Sequence, residues 1–253
     1  MLSFFHRKKK VTVDFFTCDV PTYELVPINK ASSNYPEWWK QLPENYKVKN
    51  FQDAILRQAM DPFRNNMKRC WGFTELFKRG VMIRHWCDLY VEVDPTTEMF
   101  NFVYSNGEAP ESHPPEQHNF SFSNYYHMKF KSPWRAKEKH GIPFMMIGAF
   151  WNNENLDLSF CPGIQQYNVS HSTNINLFFP KKKERYEFSV KLGQPVAHLI
   201  SLRDDLDIDY KCHLVDVNTI KSMDNLVSSS FFGSYGINKF IKTQPKSNCP
   251  FHF

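Results

Sequence analysis

The sequence predicts a mainly β protein, a sandwich or barrel rather than an alternating β/α fold. Short runs rich in Val, Ile, Phe and Tyr recur along the second half, and polar clusters such as Asn152–Asn155, Lys181–Glu184 and Leu192–Gln194 separate them. Strands at this density, with no helical periodicity between them, bury alternate residues against another sheet rather than against crossover helices. A chain of 253 residues can bury most of its apolar surface, and 42% hydrophobic and 16% aromatic content excludes disorder for most of its length. The longest apolar runs, such as Pro143–Trp151, are less than half of the about 20 residues that cross a bilayer as a helix, so a spanning helix is excluded.

Residues 11–16 and 23–28 are β-rich runs split by Asp19-Val-Pro21, which predicts a hairpin or a sheet edge. Pro36 and Pro43 bracket a short helix carrying Trp38 and Trp39, an aromatic pair expected to anchor in the core rather than to form a ligand platform. Phe51, Ile55, Leu56 and Ala59 have helical spacing, and Phe73–Arg79 reads as a second short helix ending at Gly80. The period then changes to two, and Val81, Ile83, His85, Cys87, Leu89, Val91 and Val93 predict one long strand. Asp94–Glu98 turns the chain into Met99–Tyr104, and Ser105–His118, rich in Pro, Glu and His, reads as a loop.

Further strands are expected at Phe120–Phe130, Pro143–Trp151, Leu156–Phe160, Thr173–Phe179, Tyr186–Lys191, Pro195–Leu202 and Asp207–Leu214. Val217–Leu226 reads as a short helix, followed by a Ser/Gly/Asn/Lys-rich tail. The organisation is therefore an N-terminal β/α elaboration over 1–80, a β-rich body over 81–215, and a helix and tail over 216–253.

The opening Met1–Lys10 places its charge after a short apolar stretch, the reverse of a secretory signal, so a product that is not secreted is expected. Six dispersed cysteines show neither a C-x-x-C pair nor a zinc-ligand spacing and read as reduced, mostly packed thiols. Lys and Arg (31) barely exceed Asp and Glu (26), too mild an excess to mark a nucleic-acid binder, and the run Lys181–Lys183 reads as a solvated turn. The sequence has no Gly-x-Ser-x-Gly, no Walker lysine loop and no dinucleotide fingerprint, which argues against serine hydrolases, P-loop NTPases and Rossmann enzymes. His85, His113 and His118 could gather a metal for an oxygenase on a jelly roll, but the His-x-Asp or His-x-Glu strand signature of such enzymes is missing.

The second half carries an ordered series of segments: Cys87-Asp-Leu-Tyr90, Lys139–Phe144, Pro162-Gly-Ile-Gln-Gln-Tyr167, Phe188–Ile200 and Phe231-Phe-Gly-Ser-Tyr-Gly236. In this order, over about residues 81–236, the chain resembles the deoxyuridine triphosphatase family and its β-clip relatives, most closely in Gly193–Ile200. The resemblance implies a β-clip body, or a related β-sandwich or jelly roll, and a homotrimer whose tails reach across subunits. It implies that Arg135 neutralises phosphate from the turn Ser132–Arg135, that Tyr167 lies under a sugar, and that Phe232 and Ser234 close over base and phosphates. The family's water-activating carboxylate is matched by Gln165, a neutral amide that cannot act as a general base.

Along its whole length the chain also resembles an uncharacterised family from T4-like viruses of marine cyanobacteria. That likeness rests on Pro36–Pro43, Lys68–Phe73, Ser132–Trp134 and Phe231–Tyr235. Together these features lead to the expectation of a non-hydrolytic bacteriophage protein in host cytoplasm or virion. It would bind or assemble, with a nucleotide or other phosphorylated ligand at Arg135, Gln165, Tyr167, Phe232 and Ser234. No catalytic residue or resident metal is assigned, magnesium entering only with a bound nucleoside triphosphate. The alternative is a virion or host-interaction protein without a small ligand.

Overall fold

The computed structural model describes residues 8–43, 67–97, 99–105, 110–114, 121–152 and 158–228, with Gln52 and Ile55. The expected helix over 51–60 and the tail residues Phe232 and Ser234 lie outside them.

Strand β1 (Lys9–Thr17) buries Val11, Val13, Phe15 and Thr17 on one face, as its alternation requires. The next segment is not the second arm of a hairpin. Asp19 Oδ2 accepts the Thr22 N–H at 2.9 Å and Pro21 occupies the first turn, so Val20–Leu25 coils into helix α1. The chain then forms β2 (Asn29–Lys30), a short helix α2 (Glu37–Lys40) and, further on, α3 (Trp71–Lys78). Trp39 stacks on Tyr35 with ring centroids 4.1 Å apart, and Tyr35 stacks in turn on Phe77, so Trp39 anchors the helix on the core, whereas Trp38 stays 40% exposed beside Phe73 and Trp151. The rings of Tyr35, Trp39 and Phe77, with Phe73, Met82 and Ala149, form a small core beneath the helices.

The period-two stretch after Gly80 is two strands, β3 (Val81–Arg84) and β4 (Leu89–Asp94), rather than one. The break carries the chain from one sheet to another. His85 N–H donates to Gln194 O at 2.8 Å, Gly193 N–H donates back to His85 O at 2.8 Å, and Asp88 Oδ1 accepts the Leu192 N–H at 2.9 Å. The hairpin expected at Asp94 is present, with β5 (Met99–Tyr104) antiparallel to β4. The expected loop contains a short strand, β6 (Glu111–His113). Strand β7 (Tyr125–Lys137) runs far past the expected Phe130, and it includes Ser132–Arg135, which is therefore not a turn. Pro133 is accommodated because the register against the neighbouring strand shifts between Ser172 and Asn174, a bulge where no ladder N–H is required.

The remaining strands are β8 (Pro143–Gly148), β9 (Ser159–Phe160), β10 (Gly163–Gln166), β11 (Ser172–Pro180), β12 (Tyr186–Val190), β13 (Pro195–Ser201) and β14 (Leu206–Leu214), followed by helix α4 (Val217–Ser228). They form a six-stranded sheet in the order β14-β1-β7-β11-β9 with β6 beside β7, a five-stranded sheet β10-β8-β13-β3-β2, and a three-stranded sheet β12-β4-β5. All three contribute to one core, in which Phe15, Phe130, Ile83, Phe144, Val91 and Leu199 are almost or wholly buried. No helix among the described residues is long and apolar enough to cross a membrane.

Gly80 ends α3 with φ +69°, and a Cβ there would stand 1.9 Å from Leu199 O. The positive φ alone costs a side chain about 1–2 kcal/mol, and the carbonyl cannot move without breaking β13. Gly80→Ala is therefore expected to destabilise the fold by about 2 kcal/mol or more, read from urea unfolding; an unchanged midpoint would contradict the tight approach of α3 to β13.

Candidate anion-binding cleft

The structure does not gather the sequence-predicted ligand residues into one place. The Arg135 side chain is 8% exposed, and its Nε and Nη2 donate to the two carboxylate oxygens of Asp224 on α4 at 2.5 and 3.0 Å. Its Nη1 donates to Ser132 O at 2.6 Å, so the guanidinium fork is filled by the chain itself. Phe15 pairs with Ala136 and Phe16 with Arg135, which puts Arg135 on the opposite face of the six-stranded sheet from Phe15. Tyr167 packs against Phe15 and Phe144 in the core, shares a 3.2 Å hydrogen bond with Thr173 Oγ1, and is wholly buried. Burial raises its pKa far above the usual phenol value. Arg135 and Tyr167 thus face opposite ways and cannot hold one ligand between them.

Gln165 sits half-buried on β10, opposite Phe144 on β8. Its segment is not a self-paired hairpin: β10 pairs with β8, and a turn at Tyr167 leads into the six-stranded sheet. His85 lies in the core, stacked on Trp86 at 4.8 Å and edge-on to Phe130, with Nδ1 2.6 Å from Cys87 O. His113 pairs in register with His127, and His118 lies outside the described residues. No group of His, Cys, Asp and Glu among the described residues is arranged to hold a metal. The five described cysteines are free thiols, Cys87 buried but Cys70 and Cys161 exposed.

The charged concavity lies elsewhere, at the open side of the body between edge strands β2 and β14. Near the far end of β14, Cys212 reaches Ile28 O and the two sheets close. At the near end they splay around a cleft of about 330 Å³. Leu206, Ile208 and Tyr210 line it from β14, Lys30 from β2, Lys8 from just before β1, and Glu75, Lys78 and Arg79 from the end of α3. The connection from β13 to β14 adds Ser201, Arg203 and Asp204.

Most of these charges are paired. Lys78 binds Glu75 at 2.7 Å, Arg79 binds Asp204 at 2.6 Å, and Arg203 holds Asp205 in a two-pronged contact at 2.7 Å that depresses the carboxyl to about 2. Lys8 and Lys30 line the cleft without an ion pair among the described residues, Lys8 adding a weaker long-range contribution to the lowered Asp205 carboxyl. Burial raises the Tyr210 pKa, and its hydroxyl makes no hydrogen bond among the described residues. Two backbone contacts fix the α3 corner: His198 Nε2 donates to Arg79 O at 2.7 Å, and Ala31 N–H donates to Gly80 O at 3.0 Å. The arrangement can bind an anion beside an apolar floor.

The comparisons with known proteins return no matching family model, no matching curated protein and no matching solved structure.

His85 and His198 both have pKa values lowered by burial, which disfavours the imidazolium. Below the ordinary histidine value of about 6.5 the unfolded chain takes up protons that the folded chain refuses, so stability is complete above that pH and falls as pH drops beneath it. The melting temperature is expected to hold from pH 8 to 7 and to decline below about 6.5, with a shallower decline in His198→Gln, which keeps a donor for Arg79 O. A profile flat to pH 5 would contradict the buried neutral imidazoles.

Proposed function

We propose that the chain is a non-hydrolytic binding module for a phosphorylated ligand, a bacteriophage-encoded relative of the deoxyuridine triphosphatases. The observation that carries the binding reading is that Lys8 and Lys30, neither in an ion pair among the described residues, line the cleft between β2 and β14 together with Tyr210. Oriented ammonium groups on a concave rim attract phosphate, and a hydroxyl donor and an apolar floor add selectivity. The non-hydrolytic reading is supported by the amide of Gln165 and by the filled guanidinium of Arg135. The finer β-clip reading of the mainly β body is supported by the order of motifs along the second half.

A thermal-shift titration with inorganic phosphate and deoxynucleotides, with and without magnesium, tests this. Ligand at a hundredfold excess over Kd stabilises by about 2.7 kcal/mol, a rise of about 5–10 °C for a domain of this size. Lys30→Gln is expected to abolish most of that rise. Arg135→Ala is expected to destabilise the unliganded fold by about 2 kcal/mol through loss of the Asp224 pair while leaving the ligand-induced rise intact. A flat titration removes the binding reading, and turnover of any deoxynucleotide by the unmodified chain removes the non-hydrolytic one.

A second reading, an assembly or host-interaction protein without a small ligand, is favoured by one feature. Val103 (69% exposed) and Tyr90, paired in register across β4 and β5, present apolar surface on one face of the three-stranded sheet. Under it, phosphate leaves the melting temperature unmoved and the chain sediments above monomer mass until Val103→Glu is introduced.

A further inference from the structure

We infer that the cleft between β2 and β14 selects a phosphomonoester, one compact dianion on an organic body, over polyphosphates and over bare inorganic phosphate. This rests on the reading of that cleft as the ligand site and names the class of ligand it takes.

The charge count sets the anion. Three cations of the cleft, Lys78, Arg79 and Arg203, are each held by a carboxylate within 2.7 Å. Lys8 and Lys30 make no ion pair among the described residues, although Lys8 adds to the field that lowers the Asp205 carboxyl, and Asp207 is a lining carboxylate without an ion pair of its own; the small surplus of positive charge suits one phosphomonoester, which carries about −1.5 to −2 near neutral pH. A chain of phosphates brings additional charge that would lie beside Asp207, a lining carboxylate with no ion pair among the described residues, and beside Glu75 and Asp204, whose cations are already engaged. Like charges in a partly enclosed site repel strongly, so these walls act against extended polyanions.

The floor sets the organic body. Leu206, Ile208 and the Tyr210 ring supply the apolar part of a mainly polar lining. Inorganic phosphate leaves that surface in water, whereas a phosphate ester covers it. Tyr210 also packs against Phe15, which holds the ring in place, and its hydroxyl retains its proton because burial disfavours the phenolate. It is therefore a donor available to a phosphate oxygen or to a polar group of the ester. The volume of about 330 Å³ is at the small end of ligand sites and suits a single small organic phosphate. The edges that form the cleft belong to a rigid frame: β14 is in ladder register with β1 along its whole length, and Lys30 is paired in register with Val81.

Calorimetric titration of the full chain with phenyl phosphate, inorganic phosphate and inorganic tripolyphosphate tests the inference. Phenyl phosphate is expected to bind about tenfold more tightly than either inorganic probe. Lys30→Gln is expected to weaken it about tenfold, Lys30→Arg to restore it, and Tyr210→Phe to weaken it about fivefold with an unchanged melting temperature. Tripolyphosphate binding as tightly as phenyl phosphate would overturn the selection for one dianion while leaving an anion site in place. Equal binding of inorganic phosphate and phenyl phosphate would overturn the role of the organic body. No heat from any probe would remove the proposed binding function itself.

Discussion

The parallel ladder between β1 and β14 ties the first described strand of the chain to the last, from Lys9 opposite Leu206 to Thr17 opposite Leu214. A parallel pair needs a crossover, and here nearly the whole described chain serves as one. The pairing puts Val13 and Phe15, both without exposure, in the middle of the core, so the body cannot close before its ends meet. Loop-closure entropy over such a separation favours late formation of this ladder in folding. The same pairing leaves β14 as a sheet edge and delivers Lys8 to the cleft. Fold closure and construction of the site are thus one event.

The five-stranded sheet carries the other wall. It is buried on both faces at β3 and β13, because α3 and its aromatic neighbours cover the side away from the main core. This explains the non-alternating buried residues Met82 and His198 and the close approach that only glycine allows at Gly80. The positions of Lys78 and Arg79 at the cleft follow from that packing, since His198 and Ala31 hold the backbone just after the helix. Helix docking and charge placement share the same atoms.

Local patterning in the sequence shows most strands clearly, since alternation is a property of neighbours. The strands around Leu177, Phe188 and Leu199 lie where their apolar periods put them. One departure had a local signal that competes with the period, since Asp19 and Pro21 form a helix start inside a β-rich stretch; the passage between sheets at His85–Asp88 had none, because buried Trp86 and Cys87 continue the apolar run and the break is set by distant contacts with Leu192–Gln194. The site was much less legible. Arg135 in isolation looks like a phosphate ligand, and its partner Asp224 lies 89 residues away. The cleft draws on four separated segments with no shared motif. Its one sequence trace is the charge cluster Arg203-Asp-Asp-Leu-Asp207 at the start of the final strand.

The two clusters of charge differ in what folding demands of them. Arg135 is nearly excluded from solvent and makes three hydrogen bonds, so removing Asp224 would leave a desolvated cation; that pair belongs to the architecture. At the cleft the paired side chains are largely in water, with Arg79 49% and Asp204 74% exposed. Exposed pairs of this kind contribute little to stability, and two unpaired lysines beside them contribute less. Mutual repulsion among like charges opposes their convergence on one concavity unless an anion offsets it. The β1–β14 ladder carries Lys8 to the cleft and the β2–β3 pairing carries Lys30 there, so both ammonium groups stand where the frame puts them, and the proposed anion would offset their repulsion.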